Sequence, residues 1–148
     1  MSDPQSLASR VTAYFENVER TVFRGDPACN PKLKVEVFDP ELVEDTITMV
    51  VVTPWTLNGM AFVPDDVFPD HLTLGKKRYP VFHNELEEIG AYFSINLLGD
   101  VGNLQSPDAA RGVGKSLGQL FRAAVSQVRQ EQVIADPSRR DLLRGRGA

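Results

Sequence analysis

The stretch Thr46-Ile47-Thr48-Met49-Val50-Val51-Val52-Thr53 decides the fold of this chain. All of its residues except Met49 are β-branched, and β-branched residues favour strands. Residues 49–52 are apolar without alternation, which is typical of a strand covered on both faces. Pro54 ends the pattern at once, because proline has no N–H to donate to a neighbouring strand. The sequence therefore predicts a central strand between two packed layers.

Weaker strand patterns lie on both sides of this central strand. On the N-terminal side, apolar residues alternate with polar ones, and Pro40 with Glu41 predicts a turn after them. On the C-terminal side, prolines and glycines interrupt residues 60–81, so only short strands are expected there. The additional strands are predicted over residues 33–37, 71–74, 79–83 and 90–98.

Two helix patterns enclose the predicted strands. Asp3 can cap the first helix, since Pro4 then falls at its first position, and Gly25 is expected to terminate it. Ser106 and Pro107 repeat this signal for a second helix that should end near Val133. Each helix has one apolar stripe at helical spacing.

The order of these elements predicts an α+β fold in one domain. We expect a largely antiparallel sheet flanked by an N-terminal and a C-terminal helix. This domain should cover residues 1–137, with a basic C-terminal tail over residues 138–148. The length of 148 residues agrees with a single domain.

The charge distribution argues against nucleic-acid binding. The whole chain carries a net charge of −4 and residues 138–148 sum to +3, so the remaining residues sum to −7. Nucleic-acid binding relies on a basic face, which an acidic body does not provide. Cys29 is the single cysteine, which excludes an intrachain disulfide and a metal site built from several cysteines.

The ends and the apolar runs of the sequence predict a cytoplasmic protein without stable membrane association. The N-terminus lacks the basic region and apolar stretch of a secretory signal. The longest aliphatic run, residues 49–52, is far too short to span a bilayer.

No catalytic, cofactor or metal motif is complete in this sequence. Residues 112–116 resemble the end of a phosphate-binding loop, but Ala109 stands where that motif needs glycine. The acidic residues of the 65–70 loop lie beside His71, without the spacing of a metal site, and are expected to be solvated. His71 and His83 lack the context of a catalytic triad. We therefore predict a protein that is not an enzyme and that holds neither a metal nor a cofactor.

Two segments suggest binding to another protein. The first is residues 52–60, where Trp55, Leu57 and Met60 follow the strand-ending proline. Tryptophan and methionine are frequent at protein-binding surfaces, but Trp55 could equally close one end of the core. The second is the tail, where paired leucines stand between arginines.

These two segments carry a family resemblance. Val52-Thr53-Pro54-Trp55-Thr56-Leu57 resembles the (V/I)TPW(M/x)L segment of the HybE family of [NiFe]-hydrogenase assembly chaperones. The tail's Arg139-Arg140-Asp141-Leu142-Leu143-Arg144-Gly145-Arg146 resembles that family's closing RRxLLxGR. The elements between the two motifs come in the same order, so the similarity extends over nearly the whole chain.

The resemblance implies a cytoplasmic chaperone that holds the precursor of the hydrogenase small subunit, with its twin-arginine signal, before export. Other hydrogenase accessory proteins are further implied partners. Some relatives are associated with rubredoxin-type iron domains, which Cys29 alone cannot build. The predicted partner-binding residues are Thr53, Pro54, Trp55, Leu57, Met60, Arg139, Arg140, Leu142, Leu143 and Arg146.

A small-molecule or cofactor-binding domain is the alternative. Trp55 would then line a pocket between the sheet and a helix. That hypothesis predicts an enclosed apolar cavity with a few converging polar groups.

Overall fold

The computed structural model describes residues 3–135 as two helices and seven strands. The helices are α1 (Pro4–Thr21) and α2 (Pro107–Ala135). The strands are β1 (Glu36–Val43), β2 (Thr46–Val52), β3 (Leu57–Phe62), β4 (His71–Leu74), β5 (Lys77–Pro80), β6 (Phe82–Leu86) and β7 (Gly90–Leu98).

Five of the strands form one antiparallel sheet in the order β1-β2-β3-β7-β6. Strands β4 and β5 form a separate antiparallel ribbon. α1 and α2 pack on opposite faces of the large sheet, and the ribbon lies on the α2 side. This arrangement confirms the predicted α+β fold with an antiparallel sheet flanked by the two helices.

Strand β2 is the central strand that the sequence predicts, since all seven of its residues are buried. Ile47, Met49 and Val51 pack in the cluster under α1. Val50 and Val52 point the other way, into the cluster under α2. The residues of this uninterrupted apolar run therefore alternate between the two hydrophobic clusters, one on each face of the sheet.

Both helix starts are confirmed by their caps. The Asp3 carboxylate accepts a hydrogen bond from the Ser6 N–H at 3.1 Å, and the Ser106 hydroxyl accepts one from the Ala109 N–H at the same distance. The predicted end of α1 is wrong, because the helix stops at Thr21. Gly25 lies in the loop beyond it, with φ +74°.

The predicted turn at Pro40 is also wrong. β1 begins only at Glu36 and runs through Pro40 to Val43. A bulge between Phe38 and Glu41, with Asp39 at φ +50°, allows the proline to stay in the strand. β1 is an edge strand, where the missing N–H of proline leaves no neighbour unpaired.

Two further strand predictions need correction. β3 is a full central strand, although the prolines and glycines nearby predict a broken region from residue 60 onward. The predicted strand over residues 79–83 is divided at Val81 between β5 and β6. There the Val81 N–H donates to the Asp70 carbonyl at 2.8 Å while the chain crosses from the ribbon to the large sheet.

Gly114 and Gly118 allow α2 to pack closely on the sheet, whereas a Cβ at Gly112 would meet nothing within 4 Å. A Cβ at Gly114 would stand 3.1 Å from Phe38, and one at Gly118 would stand 2.9 Å from Val50. These residues lie inside α2, whereas a phosphate-binding loop lies before the first turn of a helix. The small side chains let α2 approach the sheet closely.

Replacing Thr48 with valine should raise the free energy of unfolding by about 1 kcal/mol. Its hydroxyl is buried at the centre of β2 and has no hydrogen-bond partner among the described residues. Burying an unpaired hydroxyl costs free energy that a methyl group avoids. Urea denaturation should show a higher midpoint with an unchanged slope.

Thr46→Val is the matched control. Thr46 is equally buried in the same strand, but its hydroxyl donates to the Asp45 carboxylate at 3.0 Å. This substitution should lower the stability. Equal losses for the two variants would contradict the assignment of an unpaired hydroxyl to Thr48.

Candidate functional site

Residues 53–56, called the TPW turn below, are held by the side chain of Thr53. Its hydroxyl accepts hydrogen bonds from the N–H groups of Trp55, at 3.3 Å, and Thr56, at 3.0 Å. The hydroxyl also lies 3.2 Å from the Thr56 carbonyl, to which it donates, and the Thr53 N–H donates to that carbonyl at 2.9 Å. The threonine of the motif therefore sets the shape of the turn, and Thr53 itself is buried.

Asn30 braces the TPW turn from a loop far away in sequence. Its N–H donates to the Pro54 carbonyl at 2.7 Å. Its buried amide group donates to the carbonyls of Val101 and Leu104, each at 2.9 Å. Three loops are thereby joined at one end of the domain. Nothing in the local pattern around Asn30 predicts this role, because the two carbonyls lie 71 and 74 positions further along the sequence.

Trp55 stacks on Phe23 from the loop that follows α1. The ring centroids are 4.2 Å apart and the ring planes differ by 16°. Both side chains are half-buried. An aromatic pair held this way offers contact area without losing much side-chain freedom on binding.

An open groove of about 910 Å³ lies beside the TPW turn. Its wall combines the apolar side chains of Phe23, Pro27 and Pro54 with charged side chains of both signs. These are the carboxylates of Glu19 and Asp26 and the guanidinium groups of Arg20 and Arg24. The groove opens to the surface between the end of α1 and the loop after it. It is not the enclosed apolar cavity that the small-molecule hypothesis predicts.

Leu57 and Met60, which the sequence predicts as partner-binding residues beside Trp55, lie in the interior of the domain. They are only 0% and 1% exposed and point to opposite faces of β3. Leu57 packs in the cluster under α2, and Met60 packs in the cluster under α1. They therefore form no surface patch with Trp55 in this conformation, because the alternation of β3 turns both side chains into the two cores. Their role in partner binding stays a prediction.

The five predicted site residues of the tail, Arg139, Arg140, Leu142, Leu143 and Arg146, lie outside the described residues. The described part of the chain closest to them in sequence is α2. Near the start of α2, Arg111 binds Glu36, which pairs with Val52 beside the TPW turn. Near its end, Arg129 binds Asp45 at the other end of the sheet. α2 therefore ends, at Ala135, on the side of the domain remote from the TPW turn.

Cys29 lines the groove but is a poor candidate for thiol chemistry. Burial and the nearby carboxylates of Asp26 and Glu19 raise the pKa of its thiol. Its Sγ lies 3.8 Å from the Phe23 carbonyl. A raised pKa keeps the thiol protonated, whereas nucleophiles and metal ligands need the thiolate.

The sequence predicts a solvated acidic loop over residues 65–70, but two of its carboxylates contact other side chains. Asp65 lies 3.0 Å from the guanidinium of Arg129, which also binds Asp45 at 2.7 Å. Asp66 contacts His83, and not the histidine next to its own loop. The two residues of each pair are 17 to 84 positions apart in the sequence, so no local sequence pattern predicts these contacts.

A braced aromatic turn beside an open, partly apolar groove is typical of a protein-binding domain. Within residues 3–135, no helix is both long and apolar enough to span a membrane. The candidate site is thus a half-buried aromatic turn and an open groove at one end of a small α+β domain.

Comparison with known proteins gives the family. Residues 6–145 match the family described as "[NiFe]-hydrogenase assembly, chaperone, HybE", and the chain belongs to this family. The solution structure of HybE from Escherichia coli has a similar fold, with a TM-score of 0.58 at 22% sequence identity. The alignment covers 79% of this chain and 77% of that one. No curated protein sequence matches the chain significantly.

Proposed function

We propose that this protein is a cytoplasmic chaperone that binds the precursor of a hydrogenase small subunit, together with its twin-arginine signal, before export. It acts by binding and not by catalysis. The observation that carries this proposal is the stacked Trp55–Phe23 pair beside the groove. Thr53 and Asn30 hold the turn in place, so a client would meet a preorganised surface.

The charges of the domain suit such a client. An export signal of this kind combines arginines with an apolar segment. The groove offers Phe23 and Pro27 to the apolar segment. Its charged lining is balanced, with Glu19 and Asp26 against Arg20 and Arg24, so the attraction of the arginines comes from the domain as a whole. Residues 1–137 carry a net charge of −7, which favours the encounter with a cationic client at low salt.

The C-terminal tail, beginning at residue 138, is proposed as a second contact. Its arginines and leucines would bind the client or a further hydrogenase accessory protein. α2 has 29 residues, which correspond to about 44 Å of helix. A client that reached both the TPW turn and the end of α2 would extend along the whole domain, which favours a folded precursor over a short peptide.

Trp55→Ala should weaken binding of the precursor at least tenfold. Aromatic residues on a braced surface are frequent hot spots, and their truncation typically costs about 2 kcal/mol or more of binding free energy. The measurement is titration calorimetry with the purified small-subunit precursor, or its co-purification with this chaperone.

Phe82→Ala is the matched control, because Phe82 is an aromatic side chain that is 53% exposed on β6, away from the groove. It should bind the precursor as the unchanged protein does. A second comparison uses the precursor without its signal peptide, which should bind more weakly. If neither form of the precursor binds, or if both variants bind like the unchanged protein, the proposal is wrong.

A further inference from the structure

Three side chains with metal-ligating atoms meet beside β6. They are Asp66 from the loop after β3 and His83 and Glu85 from β6 itself. One ligand atom from each lies within 4.8 Å of the other two. His83 and Glu85 are two positions apart on one strand, so their side chains leave it on the same side.

We propose that Asp66, His83 and Glu85 form a surface site for a divalent transition-metal ion. An imidazole nitrogen favours zinc, cobalt, nickel and iron, whereas a site of carboxylates alone would favour magnesium or calcium. The two carboxylates together with a neutral imidazole carry the charge that balances such an ion. This site does not depend on the proposed function of the groove.

The closest pair lies near the distance that coordination needs. His83 Nε2 and Asp66 Oδ1 are 3.0 Å apart. Two ligands of a tetrahedral zinc ion, each about 2.0–2.1 Å from it, are separated by about 3.3 Å, so this pair would open by a few tenths of an ångström. The ion would take the place of the hydrogen bond between these two atoms, with the proton of the neutral imidazole then carried by Nδ1, and the larger movement would be that of the flexible Glu85 side chain. Solvent molecules would complete the shell, since all three residues are exposed.

The imidazole is held in place before any ion binds. The ring of His83 packs on the ring of Phe93, with 4.8 Å between centroids and 32° between planes. Phe93 is itself buried and packs against Phe68 at 5.1 Å. This contact limits the rotation of the imidazole, which directs its Nε2 at Asp66.

The loop that presents Asp66 is held on both sides of that residue. The buried guanidinium of Arg129 donates to the Asp65 carboxylate at 3.0 Å and to the Val67 carbonyl at 2.6 Å. Asp66 is therefore presented by a fixed segment and not by a free loop. The positive charge of Arg129 is offset locally by Asp45 and Asp65, so it does not oppose a cation nearby.

The test is a titration of the purified, untagged protein with Zn²⁺ by calorimetry and with Co²⁺ by visible absorption. We expect one saturable equivalent. His83→Asn and Glu85→Gln should each weaken its binding at least about tenfold, because each removes one ligand. His71→Asn is the matched control, since His71 is an exposed histidine on β4, and it should bind both ions unchanged.

Circular dichroism should show all variants folded, because the substituted side chains are exposed. If His83→Asn nonetheless unfolds, Glu85→Gln decides the result alone. The proposal is overturned if the unchanged protein shows no saturable equivalent, or if the folded His83 and Glu85 variants bind as tightly as the control. Trp55→Ala should bind both ions normally, so a failure of the groove and a failure of this site are distinguishable.

Discussion

Arg129→Ala is expected to lower the free energy of unfolding by about 3 kcal/mol, the lower end of the range for breaking a buried ion pair. The side chain of Arg129 is 0% exposed, and its guanidinium lies 2.7 Å from Asp45 and 3.0 Å from Asp65. The lower end applies because these carboxylates are 29% and 31% exposed, so water can partly solvate them after the change.

The importance of Arg129 comes from the segments that it joins. It binds the turn between β1 and β2 through Asp45, and the loop after β3 through Asp65 and the Val67 carbonyl. Burial lowers the pKa of its guanidinium, but the hydrogen bonds and charges of Asp45 and Asp65 raise it by more. The net pKa lies above the ordinary value, so the guanidinium stays protonated and keeps its positive charge.

Chemical denaturation followed by far-ultraviolet circular dichroism measures this effect. Arg122→Ala is the matched control, since Arg122 stands on the same helix and contacts Asp39 at 3.7 Å and Glu41 at 3.4 Å. Its side chain is 20% exposed and these contacts are long, so a loss below about 1 kcal/mol is expected. Similar losses for the two arginines would show that the buried network contributes no more than a surface pair.

The elements that the sequence predicts well are those with local signals. Asp3 and Ser106 cap the two helices, and the caps depend only on residues within one turn. β2 follows from its unbroken β-branched run, and β7 has the predicted bounds of residues 90–98. The length and composition of these two strands are enough to predict them, because burial on one or both faces leaves a periodic or continuous apolar pattern in the sequence.

The elements that were missed depend on contacts distant in sequence. Pro40 stays within β1 only because β1 is an edge strand with a bulge, and edge position is a property of the whole sheet. β3 contains Asn58 and Gly59, which normally weaken a strand. It forms because its neighbours on both sides, β2 and β7, supply hydrogen bonds along its length.

The candidate site shows the same division. The sequence singles out Trp55, since a lone tryptophan after a strand-ending proline is conspicuous. Its partner Phe23 and its brace Asn30 were missed, because both reach the TPW turn from a loop more than twenty residues earlier, and Asn30 binds carbonyls 71 and 74 positions away. A motif can locate such a surface, but only the tertiary structure shows what holds it.

Phe121→Ala should lower the free energy of unfolding by about 3–5 kcal/mol, as is usual when a buried phenylalanine is truncated. Phe121 is 1% exposed and packs from α2 directly on Gly59 of β3. A Cβ at Gly59 would stand 2.9 Å from carbons of the Phe121 ring. Gly59→Ala alone should therefore also destabilise, by about 1–3 kcal/mol through overpacking.

The double variant tests whether the ring is the reason for the glycine. Without the ring, the alanine methyl group at position 59 enters the space that Phe121→Ala leaves, so the combined loss should fall short of the sum by about 1 kcal/mol or more. Phe121→Ala combined with Gly114→Ala is the control, because the Cβ at position 114 meets Phe38 and not Phe121. That pair should be additive within about 0.5 kcal/mol.

Denaturation of the single and double variants gives both coupling energies. If Phe121→Ala and Gly59→Ala prove additive as well, the ring does not exclude a side chain at position 59, and β3 must keep its glycine for another reason. If the coupling appears only in this pair, one aromatic residue on α2 explains why a central strand contains a residue that disfavours strands. The glycine that obscured β3 in the sequence would then be a consequence of the helix that packs on it.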